Sequence, residues 1–176
     1  MTTRGMNAAK LSARRKQPGH DRDFLESESA FVTVARASLD PTFYLVQEKP
    51  KDLRDLFPKQ EKGERDLGVE PEAVIINKVT KRRLYVEVKA QGERGNAEER
   101  ACKHHTVQFY KTLNLKFGYD YHPIITIFCE SLATFPRYTR KHPYFFEPGQ
   151  YFNWIDYQPS ILAAFLKERC ALWLED

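Results

Sequence analysis

Cysteine is scarce in this sequence: Cys102, Cys129 and Cys170 are the whole complement. Three scattered cysteines cannot build a disulfide framework or a zinc site, and an odd count suits a reducing compartment, so free thiols and a cytoplasmic setting are expected. Long apolar runs are missing too. Residues 124–129, interrupted by Thr126, and the apolar stretch 161–166 fall far short of the roughly 18 residues that a membrane-spanning helix needs. Arg4, Lys10, Arg14, Arg15 and Lys16 lie near the start with no apolar segment behind them, which points away from a secretory signal. Charge of one sign is not in excess either: 28 Lys and Arg against 24 Asp and Glu leave +4, too little to identify a partner.

What is present is an ordinary globular composition, 41% hydrophobic, 30% charged and 13% aromatic over 176 residues. That excludes disordered, collagen-like and disulfide-stapled chains. A chain of this length can bury about 70% of its unfolded surface around one core. The expected organisation is a basic, flexible arm over residues 1–19 and a single domain over residues 20–176. The charge is distributed unevenly. Residues 78–83 and 94–105 are locally basic, with Glu87 between them and Glu70 and Glu72 just ahead of the first, an acidic point in a basic setting that suits phosphate and a divalent cation.

Periodicity supplies the elements. Residues 21–38 carry Phe24, Phe31, Val32, Val34 and Ala35 in helical register, closed by Asp40-Pro41. Residues 73–79 and 84–90 are β-branched or alternating runs about a basic turn, the signature of a hairpin. Asn96, with Glu99 three positions on, resembles a capping box and predicts a helix over residues 96–113. Residues 124–129 read as a buried strand and residues 135–158 as an irregular aromatic tail, and from Ser160 a helix presents Ile161, Leu162, Phe165, Leu166 and Leu172. The sum is an α/β fold, a mixed central sheet flanked by helices.

Glu87 and Lys89 stand two apart on the second hairpin strand and project from one face, opposite Val86, Val88 and Ala90. Glu72, after Pro71, opens the preceding strand, so the hairpin brings two carboxylates to one end. Carboxylate oxygens suit Mg²⁺, a hard cation that keeps waters and binds phosphate, and a lysine beside them can serve an attacking water. The same spacing also occurs in solvated strands.

The longer string decides between these readings. Glu70-Pro71-Glu72, then Glu87-Val88-Lys89-Ala90-Gln91-Gly92, then Gly95-Asn96-Ala97-Glu98-Glu99-Arg100 resembles the PD-(D/E)xK nucleases, and within them the EcoRI and MunI restriction endonucleases, the second more closely. The similarity spans residues 44–103 well and Tyr151-Phe152-Asn153-Trp154 faintly. It implies a restriction-endonuclease core, a catalytic trio of Glu72, Glu87 and Lys89, and Mg²⁺ held by Glu72 and Glu87. It further implies a homodimer acting on double-stranded DNA, a partner methyltransferase, and products with 5′-phosphate and 3′-hydroxyl ends. Arg94, Gly95, Asn96, Ala97, Glu99, Arg100 and Lys103 become the DNA-binding segment. Asn can bond adenine N6 and N7, and Arg can bond guanine O6 and N7; Asn96 and Glu99 can also simply cap the helix. The segment implies AATT at the centre of the site, and Arg94 favours 5′-CAATTG-3′ over 5′-GAATTC-3′.

Two departures stand out: Glu72 replaces the pattern's Asp, and only residues 92–94 separate the catalytic strand from the recognition string. A catalytically weak DNA-binding protein of the same fold is the competing reading, and cleavage of a defined DNA separates the two. A repair nuclease or junction resolvase shares the core but does not need the recognition string. His104 and His105 match no metal spacing and are expected on a helix face near DNA; the aromatic tail is expected in core and dimer packing.

Overall fold

The computed structural model describes residues 20–175, with side chains from Glu26 onward; the proposed arm over residues 1–19 lies outside them. Five strands form one sheet in the order β1-β2-β3-β4-β5: β1 (Tyr44–Glu48), β2 (Ala73–Asn77), β3 (Arg83–Gln91), β4 (Ile124–Glu130) and β5 (Tyr151–Asn153). β1, β2 and β3 pair antiparallel, while β3–β4 and β4–β5 are parallel. The expected mixed sheet is therefore present, and β3 is its centre.

The β2–β3 hairpin forms where the sequence placed it. Asn77 Oδ1 accepts from the amides of Val79 and Thr80 at 2.8 and 3.1 Å, a turn that Asn favours because its short side chain replaces a backbone acceptor. Period-two alternation then sorts β3. Leu84, Val86 and Val88 join Ile125, Ile127 and Cys129 of β4 on one face, under helices α1 (His20–Ser38) and α7 (Pro159–Leu174). Leu162, Leu166, Cys170 and Leu174 bury a stripe at four-residue spacing along α7; Leu172, expected in that register, is exposed.

The opposite face is divided. Val74, Tyr85 and Ile124 pack with Leu53, Phe109 and Leu113 at one end, and Phe128 packs with Ala97, Ala101, Tyr138 and Phe146 at the other. Glu87 and Lys89 lie on this face between the two clusters. Both faces of the sheet are thus covered, and the two residues are buried rather than emerging freely as the alternation suggested.

The long helix expected over residues 96–113 is broken. α2 (Ala97–Cys102) passes into a 3₁₀ turn, Lys103–His105, and α3 (Val107–Phe117) starts afresh. Thr106 makes the break: its backbone is extended and its Oγ1 accepts from the Phe109 amide at 3.1 Å, capping α3. Residues 135–158 are not irregular throughout. Short helices α4 (Ser131–Thr134), α5 (Pro136–Thr139) and α6 (His142–Phe145) lead to the edge strand β5.

Candidate active site and DNA-recognition segment

The strand pairing sets the position of each carboxylate. Ala73 pairs with Val86, so Glu72 lies just before β2 as Glu87 follows that pair on β3, and the Glu72 amide donates to the Val86 carbonyl at 3.0 Å. Glu87 and Lys89 are only 7% and 9% exposed, and the Lys89 ammonium donates to Glu87 Oε1. Ion pairing is what makes their burial tolerable, since an unpaired carboxylate there would carry several kcal/mol of desolvation cost.

Glu72 is half-buried and held differently. The Lys49 ammonium bridges it to Glu28 of α1, at 2.6 Å from Glu28 Oε2. Burial pulls the Lys49 pKa down, but its bonds to Glu28 and Glu72 outweigh this and raise it. Burial raises the Glu28 carboxyl, opposed by Lys49 and reinforced by the charge of Glu72. Sequence reasoning did not find Glu28 or assign Lys49 a role, because the contact joins positions far apart in the chain. Glu70 is engaged elsewhere, by Arg54 at 2.6 Å.

The donor set fits a magnesium-like ion. Two carboxylates come from neighbouring strands and each is balanced by a lysine rather than an arginine fork. Among the described residues no group of three or more His, Cys, Asp or Glu side chains is disposed to hold a metal. A site with few protein ligands suits Mg²⁺, which is commonly held by one or two carboxylates with water and phosphate oxygens completing its shell.

The candidate recognition string follows β3 at once. Arg94, Gly95, Asn96, Glu99, Arg100 and Lys103 are exposed, whereas Ala97 and Glu98 are buried. The capping box does not form, for Asn96 makes no side-chain cap. Gln91, on the same face of β3 as Glu87 and Lys89, does the capping instead: its Oε1 accepts from the Ala97 amide at 2.7 Å and its Nε2 donates to the Tyr138 hydroxyl at 2.9 Å. Gly95, at φ +148, lets the chain pass so closely that a Cβ there would lie 2.3 Å from Gln91 Oε1. Asn96 is thereby left with its side chain outside the helix cap.

The histidines do not face outward. His104 is buried, His122 Nε2 lies 2.6 Å from the His104 carbonyl, and His105 Nε2 meets Thr126 Oγ1 at 2.8 Å. Burial lowers His104 and His105 to about 3 and His122 to about 4. They pack α2 and α3 onto β4, which corrects their expected place near DNA.

A family model for the type II restriction enzyme MunI matches residues 6–174 of this chain. The chain belongs to the MunI family of type II restriction enzymes. It is accordingly a type II site-specific deoxyribonuclease. The type II restriction enzyme MunI of a Mycoplasma species is 26% identical over 158 residues, covering 73% of this chain and 78% of the relative. The crystal structure of MunI restriction endonuclease in complex with cognate DNA superposes with a TM-score of 0.66 at 22% identity, covering 84% of this chain and 96% of that one. The mixed sheet with flanking helices is thus the MunI endonuclease fold. No helix among the described residues is long and apolar enough to cross a membrane, and the three cysteines are free thiols.

Proposed function

We propose that this MunI-family enzyme hydrolyses both strands of duplex DNA at a palindrome centred on AATT, with 5′-CAATTG-3′ as its site. The reading is carried by one observation: the Glu87–Lys89 pair and the exposed Arg94-to-Arg100 string sit on consecutive stretches of one chain, joined through the side chain of Gln91. DNA as the partner is supported by the family and by the DNA bound to its structurally similar member.

In the reaction, Glu72 and Glu87 would hold Mg²⁺. When bound, the ion neutralises charge on the phosphate oxygens and the leaving oxygen. Lys89, an ammonium beside Glu87, orients the attacking water and steadies its developing charge. Asn96 and Arg100 would read the inner adenines in the major groove, and Glu99 would accept from an adenine amino group or brace Arg100. Arg94 would pair bidentately with the outer guanine. A homodimer matches the symmetry of a palindrome, each subunit cutting one strand, to leave 5′-phosphate and 3′-hydroxyl ends. A methyltransferase of the same specificity would protect the host DNA.

One observation favours the competing reading of a weak or inactive binder: Glu72 is already engaged by Lys49. Digestion of a defined DNA carrying CAATTG, GAATTC and unrelated sites, with Mg²⁺ and with sequencing of the ends, separates the alternatives. Cleavage confined to CAATTG is expected. Preference for GAATTC, or for sites without AATT, overturns the assignment, and tight site-specific binding without cleavage selects the weak binder. Arg94→Ala is expected to relax the outer base pair by about 1–3 kcal/mol of discrimination while AATT stays required.

A further inference from the structure

The recognition segment contains a carboxylate that the reading above does not use. α2 has two faces: Ala97, Glu98 and Ala101 turn inward, and Glu99, Arg100 and Lys103 turn outward. An apolar residue is the default on an inner face, yet Glu98 is there at 2% exposure. Its Oε1 accepts from Lys141 Nζ at 3.0 Å. Its Oε2 has no hydrogen-bond partner and lies 3.9 Å from His142 Nε2.

His142 is fully buried and stacks on Phe128 with ring centroids 4.1 Å apart. Burial holds it near pKa 4, so around neutral pH Lys141 is the cation that faces Glu98. A buried ion pair adds little net stability, but its loss on one side leaves an uncompensated charge, and it demands one geometry. With 3.6 residues per turn, a rotation of α2 by one residue position, about 100°, would separate Glu98 from Lys141 and carry Glu99 inward.

We propose that Glu98 is a positioning residue for base reading: paired with Lys141, which immediately precedes α6, it fixes the rotation of the helix that presents Asn96, Glu99 and Arg100 to DNA. The proposal rests on the assignment of residues 94–103 as the recognition segment.

The test uses the full-length chain and the variants Glu98→Gln, Lys141→Met and their combination. Three quantities are measured: the ratio of kcat/KM on the preferred site to that on duplexes with one changed base pair, the same ratio for equilibrium binding without metal, and the melting temperature. Each single variant is expected to lower both ratios at least 10-fold at a temperature well below melting, and the double variant to fall no further than the worse single, the signature of one coupled pair. Lys141 is half-exposed, so Lys141→Met carries the test even where Glu98→Gln does not fold. Variants that melt earlier but keep the parent's ratios overturn the proposal, as do two losses that multiply in the double. A parent enzyme with no site preference overturns the recognition assignment itself, and the proposal with it.

Discussion

β3 and α2 follow one another in the chain, but they are held in place by different means. β3 is laddered on both sides, antiparallel to β2 and parallel to β4, so backbone hydrogen bonds fix where Glu87 and Lys89 sit. α2 is six residues long, too short to be stable by itself, and is fixed by side chains: Gln91 at its first amide, Ala97 and Ala101 in an apolar cluster, and Glu98 against Lys141. The proposed catalytic pair therefore rests on a scaffold that single substitutions barely move. The proposed base-reading segment rests on a few contacts that single substitutions remove.

The largest expected effect tests the strand side of this contrast. Lys89→Ala should reduce cleavage by about 10²–10³-fold, the usual contribution of one positioned donor to developing charge, while site-specific binding measured by gel shift without metal stays near that of the parent. Near-normal cutting would remove Lys89 from the mechanism, and lost binding would show that β3 and α2 are less independent than the ladder implies.

The helix side breaks at Gly95. A methyl group there meets Gln91 Oε1 at 2.3 Å from a backbone conformation that favours glycine, so Gly95→Ala must displace the side chain that caps α2. Discrimination between the preferred and single-base-changed sites should fall about 10- to 100-fold, equivalent to about 1–3 kcal/mol, in competition cleavage assays. Thermal melting should also fall by a few degrees, because the displaced Gln91 side chain is buried and loses its bonds to Ala97 and Tyr138. An unchanged ratio would show that α2 does not depend on the Gln91 contact.

Acidification sharpens the comparison further. His104, His105, His122 and His142 all pack against the side of the sheet that carries α2 and α3, and burial depresses their folded pKa values to about 3 or 4 from 6.5. The unfolded chain thus binds protons that the fold refuses; the stability these groups contribute is complete above about pH 6.5 and is lost as pH falls through about 4 for His122 and His142 and about 3 for His104 and His105. Each contributes at most about 1.4 kcal/mol per pH unit. Glu28, raised by burial, works in the opposite sense, so the Lys49 edge should be spared. Hydrogen exchange between pH 7 and 5 should show α2 and α3 amides opening before those of β3, and a flat denaturation midpoint over that range would mean that the histidines take up protons within the intact fold.

The same contrast explains what could be read from the sequence. β3 was legible because alternation and β-branching are local signals, and so were its hairpin with β2, the helix over α1 and the Glu87–Lys89 pair. The break at Thr106 was hidden, since residues 96–113 keep a helical pattern and only the Thr106 side chain, accepting from Phe109, interrupts it. Glu98 and Glu99 are chemically identical neighbours, and nothing local marks the first as buried. Gln91 and Lys49 act through partners remote in sequence, Tyr138 for the first and Glu28 for the second. Local periodicity carries the scaffold, whereas the anchors of the site are tertiary.

The smallest expected effect concerns Glu72, which stands where the related pattern has Asp. Its longer side chain reaches Lys49, which also holds Glu28. Glu72→Asp withdraws the carboxylate by about one C–C bond, away from Lys49 and toward its own backbone, whose amide bonds to the Val86 carbonyl beside Glu87. Misplacement of a reacting group by about 1 Å can cost on the order of 10²-fold in rate, so the direction of the change is informative even where its size is modest. With Mg²⁺, the variant should cut at least as fast as the parent, by a factor of a few at most, with site preference unchanged because α2 is not touched. Steady-state cleavage of the preferred duplex measures this. A complete loss of activity would show that the site is built around the longer side chain and its Lys49 contact, or that Glu70 exchanges Arg54 for the metal; Glu70→Gln in the same assay distinguishes these, because only the second makes Glu70 indispensable.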